Sequence, residues 1–209
     1  MATVSFSAAR TAIVAVGRWL DSRGWAPATA GNYSMRLDDV SFAVTVSGRH
    51  KGRLTEADVM RVDGAGLSLD GQKPSAETAL HLHIYHGFPQ AGAVLHSHSP
   101  QAVGLSRAFP QADGWTLAGH EMLKVFGIPT HDTSRILPIV DNSQDMAEIE
   151  AMVAARLLAP DALPAYLIRS HGLYGWGATM AEAERVIEAT EWLIAAELAE
   201  IGFRQDNRR

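Results

Sequence analysis

The chain has 209 residues, 47% of them apolar and 20% charged, with a formal net charge of -5. This composition describes one globular α/β domain over residues 1–209, and its mild acidity without a dense Lys/Arg tract argues against nucleic acid or an anionic membrane as the main partner. With no Cys, no basic-then-apolar leader pattern over Met1 to Ser7 and no run of about 20 apolar residues, disulfides, thiolate metal sites and membrane spans drop out, and the expectation is a cytoplasmic protein.

Phe6, Ala9, Ile13, Val16 and Leu20 recur at helical spacing, which predicts an amphipathic helix over 5–23 stopped by Gly24. The small polar stretch Ala28 to Ser34 reads as a loop, and Ser41 to Val46 as a strand broken by Ser47-Gly48. Val59 to Asp63 and Leu67 to Leu69 form a predicted hairpin across Gly64 to Gly66. A helix is predicted over 75–87, a buried strand over 92–98 and a short helix over 99–107 that Pro100 can begin. Residues 114–127 read as irregular. Arg135 to Val140 is a predicted strand, set at a sheet edge by Pro138. A helix over 144–158, a strand over 165–170, a glycine-spaced stretch over 172–177 and a helix over 180–201 ending near Gly202 complete the chain, with a frayed tail from Arg204.

His96 and His98 close the predicted strand over 92–98. Alternate residues of a strand face one side, so the two imidazoles are offered together, about 7 Å apart at Cα, to one metal ion. His171, in Ser170-His171-Gly172 after a β-rich run, is a third candidate. Three neutral nitrogen ligands without thiolate describe an open, catalytic zinc site, because structural zinc is closed by four ligands. His81-Leu82-His83-Ile84-Tyr85-His86 is less suited: on a helix His81 and His83 diverge, and the segment reads as a face at a subunit or domain contact.

Glu77, just inside a predicted helix, and Glu121, in Gly119-His120-Glu121-Met122, are candidate general acids or bases beside such a metal. Gly31-Asn32, Ser47-Gly48 and Ser75 lie in small polar segments at element ends, where N–H groups and hydroxyls hold an oxyanion, although turn chemistry accounts for them equally well. Neither a Walker loop nor a dinucleotide fingerprint is present, so NTP and NAD chemistry are unsupported.

Taken in order, Thr29-Ala30-Gly31-Asn32-Tyr33-Ser34, Ser47-Gly48, Lys73-Pro74-Ser75-Ala76-Glu77, His96-Ser97-His98 and Ser170-His171-Gly172 resemble the class II aldolase/adducin family across nearly the whole chain. The resemblance implies a three-layer α/β/α fold around a mainly antiparallel sheet and a homotetramer with active sites near subunit contacts. It also implies zinc on His96, His98 and His171, and a sugar-phosphate substrate whose phosphate sits on Gly31, Asn32, Ser47, Gly48 and Ser75. Ser47 and Ala76 depart from the family's Thr-Gly and Ser-Ser segments. Gly119 to Lys124 and Ile128-Pro129 resemble a dehydratase branch, in which Glu121 matches the acid/base glutamate, while Glu77 matches the acid/base and occasional zinc ligand of the aldolases. The expected activity is zinc-dependent dehydration with Glu121 as main proton-transfer group and Glu77 as fourth ligand or auxiliary base. Aldol cleavage, pentulose-phosphate 4-epimerisation and a non-catalytic adducin-like interaction module are the alternatives.

Overall fold

Short polar side chains begin three of the helices by accepting from otherwise unpaired N–H groups. Ser5 accepts from Ala8 N ahead of α1 (Phe6–Ser22), Ser99 from Ala102 N ahead of α3 (Pro100–Ala108), and Asp145 from Ala147 N ahead of α4 (Met146–Leu157). Two further helices are α2 (Thr78–Gly87) and α5 (Met180–Asp206). The computed structural model describes residues 3–206, so Met1, Ala2 and the tail beyond Asp206, about which the sequence carried expectations, lie outside the described residues.

Eight strands form one sheet in the order β3-β2-β1-β4-β8-β7-β6-β5. They are β1 (Asn32–Arg36), β2 (Ser41–Thr45), β3 (Val59–Asp63), β4 (Ala93–Ser97), β5 (Gly114–Ala118), β6 (Ser134–Val140), β7 (Ala165–Ile168) and β8 (Gly172–Gly177). Every pairing is antiparallel except β6 with β7. Alternation along each strand divides the interior into two cores. Ala93 and Leu95 of β4 join Ile13 of α1, Leu105 of α3 and Ile187 of α5 on one face, while Val94 joins Leu80 and Ile84 of α2 and Ile149 of α4 on the other. The result is the three-layer α/β/α arrangement around a mainly antiparallel sheet.

Several elements differ from expectation. The second half of the predicted loop over 28–34 is β1, whose backbone is paired on both edges by β2 and β4 and whose Ser34 is covered by His81 and Tyr85 of α2. Residues 114–127 are ordered as edge strand β5 and a 3-10 helix, Glu121–Phe126. β6 is not an edge strand: β5 covers its outer side, with Gly114 opposite Pro138. The position is tolerated because Ile136 N and Ile139 N bond to opposite sides, Asp161 O and Asp113 O, which turns the donor-less Pro138 nitrogen toward β7. The parallel β6–β7 register starts only beyond it, at Ile139 opposite Leu167. The glycine-spaced stretch is β8, a central strand. Its glycines reflect close packing: a Cβ on Gly172 would stand 2.1 Å from Ser97 O of β4. Finally, α5 runs through Gly202 to Asp206. Leu67 to Leu69 returns beside β3 as a single bridge, Val62 opposite Ser68, and not as a full strand.

Candidate active site

The register of the central strands assembles the site. Asn32 at the start of β1 stands opposite His96 near the end of β4, and His96 stands opposite Tyr174 of β8. Gly31, at φ 80°, comes so close to β4 that a Cβ would stand 2.6 Å from His96 O, so this position requires glycine on both counts. His98 lies just beyond β4 and is tied down by its N–H to Trp25 O at 2.7 Å. His171 follows Ser170, whose φ of 62° is rare for a side-chain-bearing residue and turns the chain sharply between β7 and β8. Ser170 N donates to Ser106 Oγ at 3.0 Å, and the Arg169 guanidinium donates to the carbonyls of Ser106, Phe109 and Ala112, which pins this turn to the end of α3.

Three imidazole nitrogens converge as a result, with candidate ligand atoms of His96, His98 and His171 all within 4.8 Å of one another. His96 Nδ1 lies 3.1 Å from Leu173 O, and a carbonyl only accepts, so Nδ1 carries the proton and Nε2 presents a lone pair. That Nε2 faces His98 Nε2 at 2.8 Å and His171 Nε2 at 3.4 Å. Glu77, at the start of α2, adds a carboxylate 3.0 Å from His171 Nε2 and 3.7 Å from His96 Nε2. Burial pushes the imidazoles toward neutrality, His96 far below its ordinary value and His98 down to about 4. Burial also pushes the Glu77 carboxyl up, yet the His171 bond, the nearness of His96 and the Asn32 bond outweigh it and hold Glu77 well below the usual carboxylate range. Convergent imidazole nitrogens beside a carboxylate make a donor set that fits a divalent metal ion, and among the described residues His96, His98 and His171 are the group of three or more such side chains close enough to hold one.

A polar cavity of about 380 Å³ opens beside this cluster, with Glu77 and His98 in its wall. Gly31, Asn32, Ser47, Gly48 and Ser75, drawn from three separate segments of the sequence, line the same cavity. Lys51 also lines it, a residue that nothing in the local sequence singles out. Its side chain is buried, with Nζ donating to Thr29 O at 2.9 Å and Arg49 O at 2.7 Å. Burial pushes the ammonium down to about 8 against the opposing pull of Glu77.

Two more residues acquire their roles only in three dimensions. Glu191 of α5 is buried and receives Ser97 Oγ at 3.1 Å and Ser99 Oγ at 2.5 Å, clamping the segment that carries His98; burial pushes its carboxyl up to about 7 against both serine bonds. His81 is buried beneath the cavity and hydrogen-bonded to Asn32 and Ser34, which corrects its reading as part of a contact face. The companion His83 faces Glu150 of α4 at 3.9 Å.

Glu121 lies apart from the cluster residues. It is the exposed first residue of the 3-10 helix, 2.5 Å from Lys124 Nζ and 3.4 Å from His131 Nδ1, and the Lys124 bond and charge hold its carboxyl below the ordinary value. The neighbouring His120 is anchored to Glu197 of α5 at 2.7 Å, and Glu197 also accepts from Trp115 Nε1 at 3.0 Å.

Residues 11–198 match the family described as Class II Aldolase and Adducin N-terminal domain. The chain is 45% identical over 206 residues to a methylthioribulose-1-phosphate dehydratase of Methylococcus capsulatus, covering 98% of this chain and 100% of the relative. It is 50% identical over 188 residues to the dehydratase of the same name from Pseudomonas savastanoi pv. phaseolicola, covering 89% of this chain and 92% of the relative. Among solved structures it superimposes on L-fuculose-1-phosphate aldolase from Thermus thermophilus with a TM-score of 0.77 and 25% identity, covering 96% of this chain and 99% of that one. The fold, the histidine cluster and these likenesses agree: the chain belongs to the class II aldolase and adducin family.

Proposed function

We propose that this chain dehydrates 5-methylthioribulose 1-phosphate to 5-methylthio-2,3-dioxopentyl 1-phosphate, a hydro-lyase step of methionine salvage. The observation that carries this reading is that the His96, His98, His171 and Glu77 cluster meets, through His98 and Glu77, a cavity walled by Gly31, Asn32, Ser47, Gly48, Ser75 and Lys51. Relatives bearing this activity in their names match the chain over nearly its full length.

His96, His98 and His171 are the residues we assign to the metal, with Glu77 as a fourth donor or auxiliary base. Zinc suits three neutral nitrogens with a position left open, and when bound it supplies Lewis acidity that makes the proton beside a ketone easier to remove. Gly31, Asn32, Ser47, Gly48 and Ser75 supply the phosphate pocket, and Lys51 balances the dianion with a buried cation.

Dehydration needs a proton taken from C3 and a proton given to the departing C4 hydroxyl. We assign that transfer to Glu121, whose exposed side chain would have to reach substrate across a subunit contact in the homotetramer we propose. The exposed Val125 and Trp192 beside it suit such a contact. The deciding experiment is metal analysis joined to product identification from methylthioribulose 1-phosphate: one zinc per chain and a dioxo product support the reading. A triose phosphate with an aldehyde, or an epimer, would move the assignment to aldol cleavage or 4-epimerisation, which the position of Glu77 beside the histidines also serves.

A further inference from the structure

Behind Glu77 runs a buried file of polar side chains that, Asn32 apart, the proposed chemistry does not use. Asn32 Nδ2 donates to Glu77 Oε2, and Asn32 Oδ1 meets His81 Nε2. His81 Nδ1 lies 2.7 Å from Ser34 Oγ, which lies 2.8 Å from Tyr85 OH. His81, Ser34 and Tyr85 are 2%, 0% and 2% exposed, so water does not compete for these groups. The far end is fixed: Tyr85 stacks on Phe42 with centroids 4.7 Å apart, and the Arg36 guanidinium covers its ring while donating to Tyr85 O at 2.8 Å. A second line of packing joins the same imidazole to the cluster, because Tyr174 meets His81 edge-on and stacks on His96 at 4.0 Å.

The direction of every bond in the file follows from its last member. An ionised carboxylate only accepts, so Asn32 must turn its NH2 toward Glu77 and its carbonyl oxygen toward His81. His81 must then carry its proton on Nε2 and leave Nδ1 bare, Ser34 must donate to Nδ1, and Tyr85 must donate to Ser34. The opposite imidazole tautomer would present a lone pair to the Asn32 carbonyl. Asn32 would then flip and aim its own oxygen at the Glu77 carboxylate, an acceptor against an acceptor.

We propose that His81 is a positioning residue: as the Nε2–H tautomer it locks the Asn32 amide, and through it holds the Glu77 carboxylate against His96 and His171. This rests on the placement of Glu77 at the metal site and is independent of which sugar phosphate the site takes.

The test is ¹⁵N-histidine NMR of the metal-loaded protein, together with Zn²⁺ affinity by chelator competition and turnover for His81→Phe and His81→Gln. The expected native spectrum has His81 Nε2 protonated and Nδ1 bare. His81→Phe loses about 10- to 100-fold in metal affinity or turnover, the usual cost of removing a group that orients a ligand. His81→Gln, whose amide nitrogen takes the place of Nε2 and still donates to Asn32, stays near native in both. A protonated Nδ1 in the native protein, native affinity and turnover in His81→Phe, or a Gln variant as impaired as the Phe variant each overturns the proposal. If His81→Phe does not fold, the native tautomer and the Gln variant decide. Failure of the dehydratase assay alone would leave the tautomer and the metal affinity untouched, so the two readings fail separately.

Discussion

His96 Nε2 and His98 Nε2 face each other at 2.8 Å, while the opposite nitrogen of His96 spends its proton on Leu173 O. The strand therefore fixes which nitrogen His96 can offer. A lone pair held this way, beside a second neutral imidazole, is stabilised by a shared cation, and the prediction is about one divalent ion per chain. His96→Ala, His98→Ala and His171→Ala should each lower metal content and turnover together in metal analysis of purified protein. Full metal loading in all three variants would show that the cluster is not the site.

Lys51 predicts both the phosphate preference and its pH dependence. Burial pushes its free ammonium down to about 8, so the cation is lost as pH rises through about 8. The protonated form is the one that pairs with a phosphate dianion, so KM should rise above that pH in the native enzyme. Lys51→Arg should abolish the rise, and Lys51→Met should raise KM by about 10- to 100-fold at neutral pH, the equivalent of one charge-assisted bond. Initial-rate measurements from pH 6 to 9.5 decide; a flat native profile contradicts the role.

Ser75→Ala should act mainly on KM, because the residue lines the cavity and its hydroxyl accepts from the Glu77 backbone N–H at 3.3 Å, leaving the side chains of the cluster in place. Comparing phosphorylated with dephosphorylated substrate checks the whole pocket at once. Equal use of both by the native enzyme removes the phosphate assignment.

The two carboxylates make opposite predictions. Glu121→Gln should keep native metal content and lose about 10²- to 10⁴-fold in turnover, the range expected for a missing general acid-base group. Glu77→Gln should weaken metal binding, since it removes the anion that stands 3.0 Å from His171 Nε2. Deuterium exchange at C3 reports which of them starts the reaction. Native dehydration in Glu121→Gln with lost exchange in Glu77→Gln would reverse the roles.

Gly172→Ala should destabilise the protein by about 1–3 kcal/mol, since the new methyl meets the Ser97 carbonyl at 2.1 Å and must push β8 from β4. Calorimetry should record a lower Tm, and metal content should fall with it because His171 and His96 flank the displaced backbone. An unchanged Tm would mean that the strands separate freely here.

The sequence by itself determined the helices and most strands, because α1, α4 and β4 carry their own periodicity and caps and need no distant partner to be recognised. It also determined the three histidines, Glu77 and the small polar segments, whose order along the chain is distinctive even though each piece is short. Only the tertiary structure decided the identity of β1 and β8, because a central strand buried on both faces need not alternate apolar with polar residues. It likewise moved Pro138 off the edge, since β5 could not be read as a strand from its own residues. In the site, Lys51 and Glu191 have ordinary sequence surroundings and His81 stands in a histidine-rich segment that suggests a contact face; all three acquire their roles only when burial removes water and leaves each to a few fixed partners. Glu121 is the reverse case: its segment is distinctive in sequence, while within one chain the fold leaves it on the surface with Lys124 and His131, because the 3-10 helix that carries it packs on α5 and not on the cluster.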